Sequence, residues 1–238
     1  MTQQRYSTHL TQDYPLLLNA FPHSEEMHAE IGKSLERYFG PKSGLIGLDI
    51  GSGGGESTKY IMEYSSPSII DLVDPDNIQM TRLLTDLGAV AKKRGILLRP
   101  HEEDIFDFMP KVKDNSYDFI ASAWTIHNFE KDKREKILRE VYRTLTPGGI
   151  FVNMDKYVPD DAKEEERLHS RQVKRYHCLA EMGRPDLEIK MIAHDEEDRK
   201  PELMMKEGES IVQLKKIGFR DVRLTKRMEK EAIIIAIK

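Results

Sequence analysis

An apolar run that ends in an acid and is followed by glycines is the most informative stretch of the sequence. Residues 45–55 read Leu-Ile-Gly-Leu-Asp-Ile-Gly-Ser-Gly-Gly-Gly. This order predicts a buried strand, a tight turn and the start of a helix. Glycines in such a turn leave the main chain bare, so a ligand can lie directly against it. The stretch therefore predicts a site for a nucleotide-like ligand.

Two neighbouring acids narrow the choice of ligand. A dinucleotide-binding loop has its third glycine five residues after the first, and counted from Gly51 that position is Glu56. Asp49 lies two residues before the first glycine. Its charge is unfavourable beside a pyrophosphate and favourable beside an ammonium or sulfonium group. A NAD-dependent oxidoreductase is therefore disfavoured, and a cationic ligand is favoured.

The pattern Asp-x-Gly-x-Gly-x-Gly over residues 49–55 resembles the cofactor loop of the class I S-adenosylmethionine-dependent methyltransferases. The resemblance extends over most of the chain. It implies S-adenosylmethionine as cofactor and S-adenosylhomocysteine as product. On the loop itself, the resemblance implies cofactor contacts by Asp49, Gly51, Ser52 and Gly53.

Composition sets limits on the class of protein. The chain has 238 residues, 39% hydrophobic and 33% charged, with a formal net charge of −4. At this length we expect one domain over residues 1–238. We also expect the protein in the cytoplasm, because no stretch is apolar enough for a bilayer or a signal peptide. Cys178 is the single cysteine, which excludes an internal disulfide and a multi-cysteine metal cluster. The expected partner is a small-molecule substrate, and a homodimer is the one assembly considered. A membrane partner is not expected, and nucleic acid is disfavoured by the net charge.

Apolar segments alternate between strand and helix periods along most of the chain. Strands are predicted at 45–50, 69–73, 96–99, 117–123, 150–155, 222–224 and 232–237. The last two are joined too closely for a helical crossover, so they must pair antiparallel. The sequence predicts an α/β fold with a Rossmann-like, seven-stranded, mostly parallel sheet, helices on both faces and an antiparallel C-terminal strand.

Two segments fall outside this alternation. Residues 1–40 are interpreted as an N-terminal lid and a helix, although a partly ordered tail is the alternative for the first twenty. Residues 156–208 are interpreted as a helical insert after strand five that covers the substrate, broken near Gly183 and Pro185. A solvated excursion without substrate contact is the alternative for this insert.

Acids after the second and third strands extend the resemblance. Asp74, followed by Pro75, matches the family acid that accepts hydrogen bonds from both ribose hydroxyls. Asp104 matches the acid that faces the adenine amino group, with Ile105 beside the ring. Glu103 is the competing choice for the adenine acid.

The run after the fourth strand implies the acceptor side of the site. By the family pattern, Ser122 and Ala123 touch the methionine part of the cofactor, and Trp124 and His127 face the substrate. Many small-molecule members have a His-His pair where this chain has His127-Asn128. His127 is therefore either a general base or a structural residue that bonds its own loop.

No metal site is predicted. The runs His101-Glu-Glu-Asp104 and His194-Asp-Glu-Glu-Asp198 contain metal-ligand residue types, but neither has helix-spaced histidines or a second cluster that converges on it. Both are interpreted as solvated acidic surfaces.

The reaction implied is in-line displacement, in which a small-molecule nucleophile attacks the sulfonium methyl group. One alternative is a carboxy-S-adenosylmethionine synthase-like enzyme. Its carboxylate-binding arginine aligns with Gln213, so the required charge is missing. The other alternative is a methyltransferase-like protein that binds the cofactor without catalysis.

Overall fold

The computed structural model describes residues 13–238, so the part of the predicted lid in residues 1–12 lies outside the described residues. Within the described part there are eight strands. They are β1 (Leu45–Ile50), β2 (Pro67–Val73), β3 (Leu97–His101), β4 (Tyr117–Ala123), β5 (Leu145–Val158), β6 (Met205–Lys206), β7 (Arg220–Met228) and β8 (Glu231–Ile237).

The strands form one sheet in the order β3-β2-β1-β4-β5-β8-β7, with β6 paired beside β5. Pairing is parallel from β3 to β5, and β8 runs antiparallel to both β5 and β7. The predicted Rossmann-like α/β fold with an antiparallel C-terminal pair is confirmed. The additional strand, β6, has only two residues, which is too short to show a period in the sequence.

Helices cover both faces of the sheet. They are α1 (Tyr14–Leu17), α2 (Ser24–Phe39), α3 (Glu56–Tyr64), α4 (Asn77–Lys93), α5 (Ile105–Phe108), α6 (Lys131–Thr144), α7 (Ala162–Glu181), α8 (Pro185–Asp198) and α9 (Glu207–Ile217). Helices α2, α3 and α4 pack on one face, and α5, α6 and α9 pack on the other. Neighbouring residues of one strand belong to opposite cores: Phe119 faces the first and Ile120 the second.

The predicted boundaries differ from the structure mainly at the ends of elements. The fifth strand, predicted at 150–155, begins five residues earlier in the structure, so the stretch 147–149 lies inside β5. There the pairing with β4 jumps from Tyr117–Leu145 to Phe119–Ile150, which is an irregularity of the bulge type. Helix α4 is capped by the carboxylate of Asp76, which accepts hydrogen bonds from the main-chain N–H groups of Ile78 and Gln79.

The insert consists of α7 and α8, separated at the predicted break. It packs on the start of the described chain, where Leu17 and Ala20 share a small core with residues of the insert such as Tyr176 and Leu187. A bidentate ion pair joins Asp13 to Arg184, with oxygen–nitrogen distances of 2.6 and 2.9 Å. The N-terminal segment and the insert are therefore in direct contact.

Among the described residues, no helix combines the length and the apolar character needed to cross a membrane.

Close packing of α2 on α3 gives a test of the fold. A Cβ atom at Gly32 would lie 2.3 Å from the carbonyl oxygen of Tyr60, whereas one at Gly88, inside α4, would meet nothing within 4 Å. We expect Gly32→Ala to lower the free energy of unfolding by about 1–3 kcal/mol through overpacking. The control Gly88→Ala should raise it by about 0.5–1 kcal/mol through helix propensity. Chemical denaturation measures both, and a Gly32→Ala protein as stable as wild type would contradict this packing.

Candidate cofactor and acceptor site

The carboxyl ends of β1, β2 and β4 meet at one edge of the sheet, where ligands of open α/β sheets bind. A cavity of about 710 Å³ opens at this edge. Its wall includes ten of the predicted site residues, namely Gly51, Ser52, Gly53, Asp74, Pro75, Asp104, Ile105, Ala123, Trp124 and His127. The fold therefore brings most of the predicted site together in one space.

The turn after β1 depends on its glycines. Gly51 and Gly53 have φ angles of +66° and +50°, in the left-handed region that favours glycine. A Cβ atom on Gly51 would also lie 2.0 Å from Oγ1 of Thr125. This turn brings bare main chain to the cavity, as the sequence pattern predicts.

Asp74 joins the end of β2 to the glycine turn. Its Oδ2 accepts a hydrogen bond from the Gly53 N–H at 3.0 Å, and its Oδ1 accepts one from the Asp76 N–H at 2.9 Å. Burial raises the pKa of this carboxyl above its ordinary value, and the two N–H donors oppose that rise. Asp74 therefore lies at the cavity wall and also orders the turn.

Asp104 and Glu103, the two choices for the adenine acid, lie in different surroundings. Asp104 lines the cavity, and its Oδ1 accepts the Phe106 N–H at 2.9 Å to cap α5. Glu103 forms an ion pair with Lys111 and does not belong to the cavity wall. Of the two acids, Asp104 is the one that a ligand in this cavity can reach.

Two predicted contacts, Asp49 and Ser122, lie behind the cavity wall rather than in it. Asp49 is fully buried, with Oδ2 accepting a hydrogen bond from the Thr58 hydroxyl at 2.7 Å. Burial raises its pKa to about 7. Its Oδ1 and the Ser122 hydroxyl are both buried without a hydrogen-bond partner among the described residues.

Further buried polar atoms around the cavity also lack a hydrogen-bond partner among the described residues. Within residues 13–238, the Ser52 hydroxyl, the Trp124 Nε1 and the Asn128 Oδ1 have no hydrogen-bond partner. Buried polar atoms in folded proteins are nearly always satisfied, by protein, water or ligand. Their grouping at one cavity, together with the glycine turn, fits a polar ligand that spans the cavity.

The acceptor end of the cavity has an aromatic wall. Trp124 has a positive φ of +47° and lies 5.2 Å from the ring of Phe21 and 5.1 Å from the ring of His28, centroid to centroid. Burial lowers the pKa of His28 to about 4, so this imidazole is neutral at pH 7. The wall is thus apolar and uncharged around Trp124.

His127 lies in a short turn after β4 and is held by β5. Its Nδ1 lies 2.6 Å from Oδ1 of Asp155, and its main-chain N–H donates to Asp155 Oδ2 at 3.2 Å. Both side chains are buried. Because Nδ1 is committed to Asp155, any bond that His127 makes to an acceptor goes through Nε2.

Both accessory segments supply part of the wall. Leu17, Leu18 and Phe21 come from the N-terminal segment. The insert and the loop that follows it supply Met191, Glu197, Lys200, Glu202 and Leu203. The alternative interpretation of the insert, a solvated segment away from the site, does not fit, because residues of the insert line the cavity. The action of the insert as a substrate cover stays a prediction.

Sequence reasoning missed several residues of the site. Asp155 lies within β5, in a stretch that shows no motif. Phe21, just before α2, and His28, on α2, reach the cavity through long-range packing. Gln213, the position used to judge carboxylate binding, lies on α9 and not in the cavity wall. The described wall of the cavity contains three ammonium groups, those of Lys133, Lys156 and Lys200. Gln213 therefore carries no information about a carboxylated cofactor.

Comparison with known proteins identifies the type of domain. The family model described as a methyltransferase domain matches residues 48–153, which hold the glycine turn, Asp74, Asp104 and His127. Residues 48–153 of the chain therefore form a methyltransferase domain of the S-adenosylmethionine-dependent class. S-adenosylmethionine is the cofactor of this class, so the predicted family and cofactor are confirmed.

The curated relatives of this chain are distant. A thiol S-methyltransferase of Homo sapiens is 28% identical over 53% of this chain and 48% of its own length. A carboxy-S-adenosyl-L-methionine synthase of Shewanella denitrificans is 24% identical over 62% of this chain and 58% of its own length. The chain thus spans about half the length of these curated relatives.

A solved structure supports the fold over the whole chain. It is a candidate S-adenosyl-L-methionine-dependent methyltransferase of Methanococcus maripaludis, with a TM-score of 0.61 and 18% identity. The superposition covers 100% of this chain and 96% of that structure. Both accessory segments of this methyltransferase therefore lie within the aligned region.

The buried carboxyl of Asp49 predicts a pH-dependent cofactor affinity. Its pKa of about 7 means that it gains charge between pH 6 and pH 8, and the charged form attracts the cationic cofactor. Affinity for S-adenosylmethionine should therefore rise with pH, by up to about tenfold over this range. Calorimetry at both pH values should show the rise in wild type and a flat profile in Asp49→Asn. An equal rise in Asp49→Asn would exclude Asp49 as its source.

Proposed function

We propose that this protein transfers the methyl group of S-adenosylmethionine to a small-molecule acceptor bound beside Trp124 and His127. One observation carries the proposal: a single continuous cavity joins the glycine turn and Asp74 to the buried His127–Asp155 pair. A cofactor at the turn and an acceptor at the pair would then share one space, as in-line transfer requires.

In the proposed complex, the two ends of the cavity have separate tasks. Asp74 would accept the ribose hydroxyls, and Asp104 with Ile105 would face the adenine, and all three line the cavity. Ala123 would lie at the methionine part, with Asp49 and Ser122 as buried polar support behind the wall. These assignments place the sulfonium methyl group between the glycine turn and Trp124.

The acceptor end suits a compact, partly apolar molecule. Trp124, Phe21 and His28 supply an aromatic surface, and His127 supplies the one imidazole of the described wall that a carboxylate orients. Asp155 would hold the His127 ring in one tautomer and stabilise its positive charge when Nε2 takes up a proton. Trp124 would hold the acceptor in line.

The proposed reaction is a single displacement. The bond between the methyl carbon and the sulfonium sulfur breaks, and its electron pair stays on the sulfur of S-adenosylhomocysteine. A new bond forms from the acceptor nucleophile to the methyl carbon, and a protic nucleophile loses its proton to His127. Collinear alignment of the nucleophile, the methyl carbon and the sulfur lowers the activation free energy, by about 7–11 kcal/mol for ideal orientation.

Transfer from labelled cofactor tests the function directly. Full-length protein incubated with methyl-labelled S-adenosylmethionine and a low-molecular-mass host extract should yield a labelled small molecule, detected by mass spectrometry. Asp74→Ala should weaken cofactor affinity by at least about tenfold, equal to about 1.4 kcal/mol. The exposed acid Asp86 on α4 gives the control Asp86→Ala, which should bind as wild type. Cofactor binding without label in any extract component would favour the non-catalytic alternative.

Variants of the buried pair test the acceptor side. His127→Ala should lower kcat by about 100-fold or more, because general-base assistance is typically of this size. Cofactor affinity, measured by calorimetry, should stay within twofold of wild type. Asp155→Asn should also lower kcat while leaving the imidazole in place, and His177→Ala, on the exposed face of α7, serves as the control. An unchanged kcat in His127→Ala would refute the assignment.

A further inference from the structure

Three metal-ligating side chains from two distant parts of the chain meet next to the cavity, and one of them, His127, lines its wall. They are His127, His194 and Asp198, and their ligand atoms all lie within 4.8 Å of one another. All three side chains are at most 9% exposed. The sequence argument that no second cluster converges on residues 194–198 is therefore wrong, because the insert folds α8 against the turn that holds His127.

Helix geometry brings two of these groups together. His194 and Asp198 are four residues apart on α8, so they project from the same face, with Nε2 of His194 3.7 Å from Oδ2 of Asp198. The rings of His127 and His194 lie 6.2 Å apart, centroid to centroid. Two imidazoles and one carboxylate are a ligand set that binds zinc and other divalent first-row metals.

The hydrogen bond between His127 and Asp155 also fits a metal ligand. Metal-bound histidines commonly donate their second ring N–H to a carboxylate, which fixes the ring and increases its basicity. Here Asp155 lies 2.6 Å from Nδ1, so Nε2 is the atom that His127 would offer to an ion.

Lys156 marks this position as one that attracts cations. Its ammonium lies 2.6 Å from Oδ2 of Asp198, the same oxygen that lies 3.7 Å from His194. Asp195, a fully buried acid on the same part of α8, is paired with Lys230 and His169. An ion at the cluster would share or replace the ammonium at Asp198, so Lys156 is its competitor.

We propose that His127, His194 and Asp198 bind one divalent transition-metal ion, and that a thiol or hydroxyl acceptor binds this ion through its nucleophilic atom. The second half rests on the proposed function. Three protein ligands leave a tetrahedral ion one open position, and His127 and Lys156 line the main cavity toward which it would open.

The ion changes how the acceptor loses its proton. The acceptor O–H or S–H bond breaks on coordination, and the proton goes to solvent instead of His127. The coordinated oxygen or sulfur then forms the bond to the methyl carbon while the sulfonium bond breaks. S-adenosylhomocysteine leaves with the electron pair, so no redox change occurs.

Direct metal binding tests the site without any assay of activity. Chelator-treated full-length protein, free of cofactor, is titrated with Zn²⁺ by calorimetry and with Co²⁺ by visible absorption. We expect one equivalent of each ion, with the Co²⁺ spectrum of a low-coordinate site. His194→Ala should weaken binding by at least 100-fold. His177→Ala, which removes a histidine 3.2 Å from Glu188 on the same insert, should bind as wild type.

Substitution of Lys156 is expected to change the affinity for Zn²⁺ in the opposite direction. Lys156→Met should tighten Zn²⁺ binding, because it removes the ammonium that competes at Asp198. Its circular dichroism spectrum and that of His194→Ala should match wild type, which excludes misfolding as the cause. Absence of Zn²⁺ uptake by wild type, or equal uptake by His194→Ala, would overturn the metal site.

The two proposals can fail separately. Cofactor binding and labelled transfer that persist in chelator-treated protein would reject the ion while leaving methyl transfer intact. Stoichiometric Zn²⁺ uptake in a protein that binds no S-adenosylmethionine would reject the function and retain the site. If both hold, chelation should lower transfer at least tenfold, and added Zn²⁺ should restore it.

Discussion

The hydrogen bond from the Gly53 N–H to Asp74 is the contact on which the site depends. It joins the turn after β1 to the end of β2, and the turn can adopt this path only because Gly51 and Gly53 take positive φ angles. The same carboxylate lies in the cavity wall. One half-buried acid therefore both shapes the main chain at the turn and presents oxygen atoms to the cavity, so this end of the cavity is formed before anything binds.

The acceptor end is built by a different principle. His127 is positioned by Asp155 on β5, and Trp124 is positioned by contacts with α2 and the N-terminal segment. The contacts of Trp124 reach residues far away in the sequence, whereas His127 and Asp155 come from the turn after β4 and from β5. This end of the cavity therefore depends on the packing of the N-terminal segment and α2 as well as on the sheet.

This difference explains how much could be predicted from the sequence. The sheet, its parallel order and the acids in the cavity wall follow from local patterns: apolar strands, glycines at a turn, and acids after the second and third strands. Asp155 and the neighbourhood of His194 do not, because their partners are set by long-range packing with no period. Asp49 is an intermediate case. The sequence predicted its position before the glycine turn, but it did not predict that the side chain is buried behind the cavity wall.

The buried charges of the insert also could not be predicted from local patterns, and they are costly to bury. Residues 194–198 read as a solvated acidic surface, yet Asp195 is fully buried between Lys230 and His169, and Asp198 is paired with buried Lys156. Removing such charges from water costs several kcal/mol per ion, and apolar residues of similar size often stabilise a fold as well or better. Fold stability alone therefore gives weak grounds for this network. Its position against His127, at the end of the cavity where an acceptor would bind, is better accounted for by the handling of charge during the reaction.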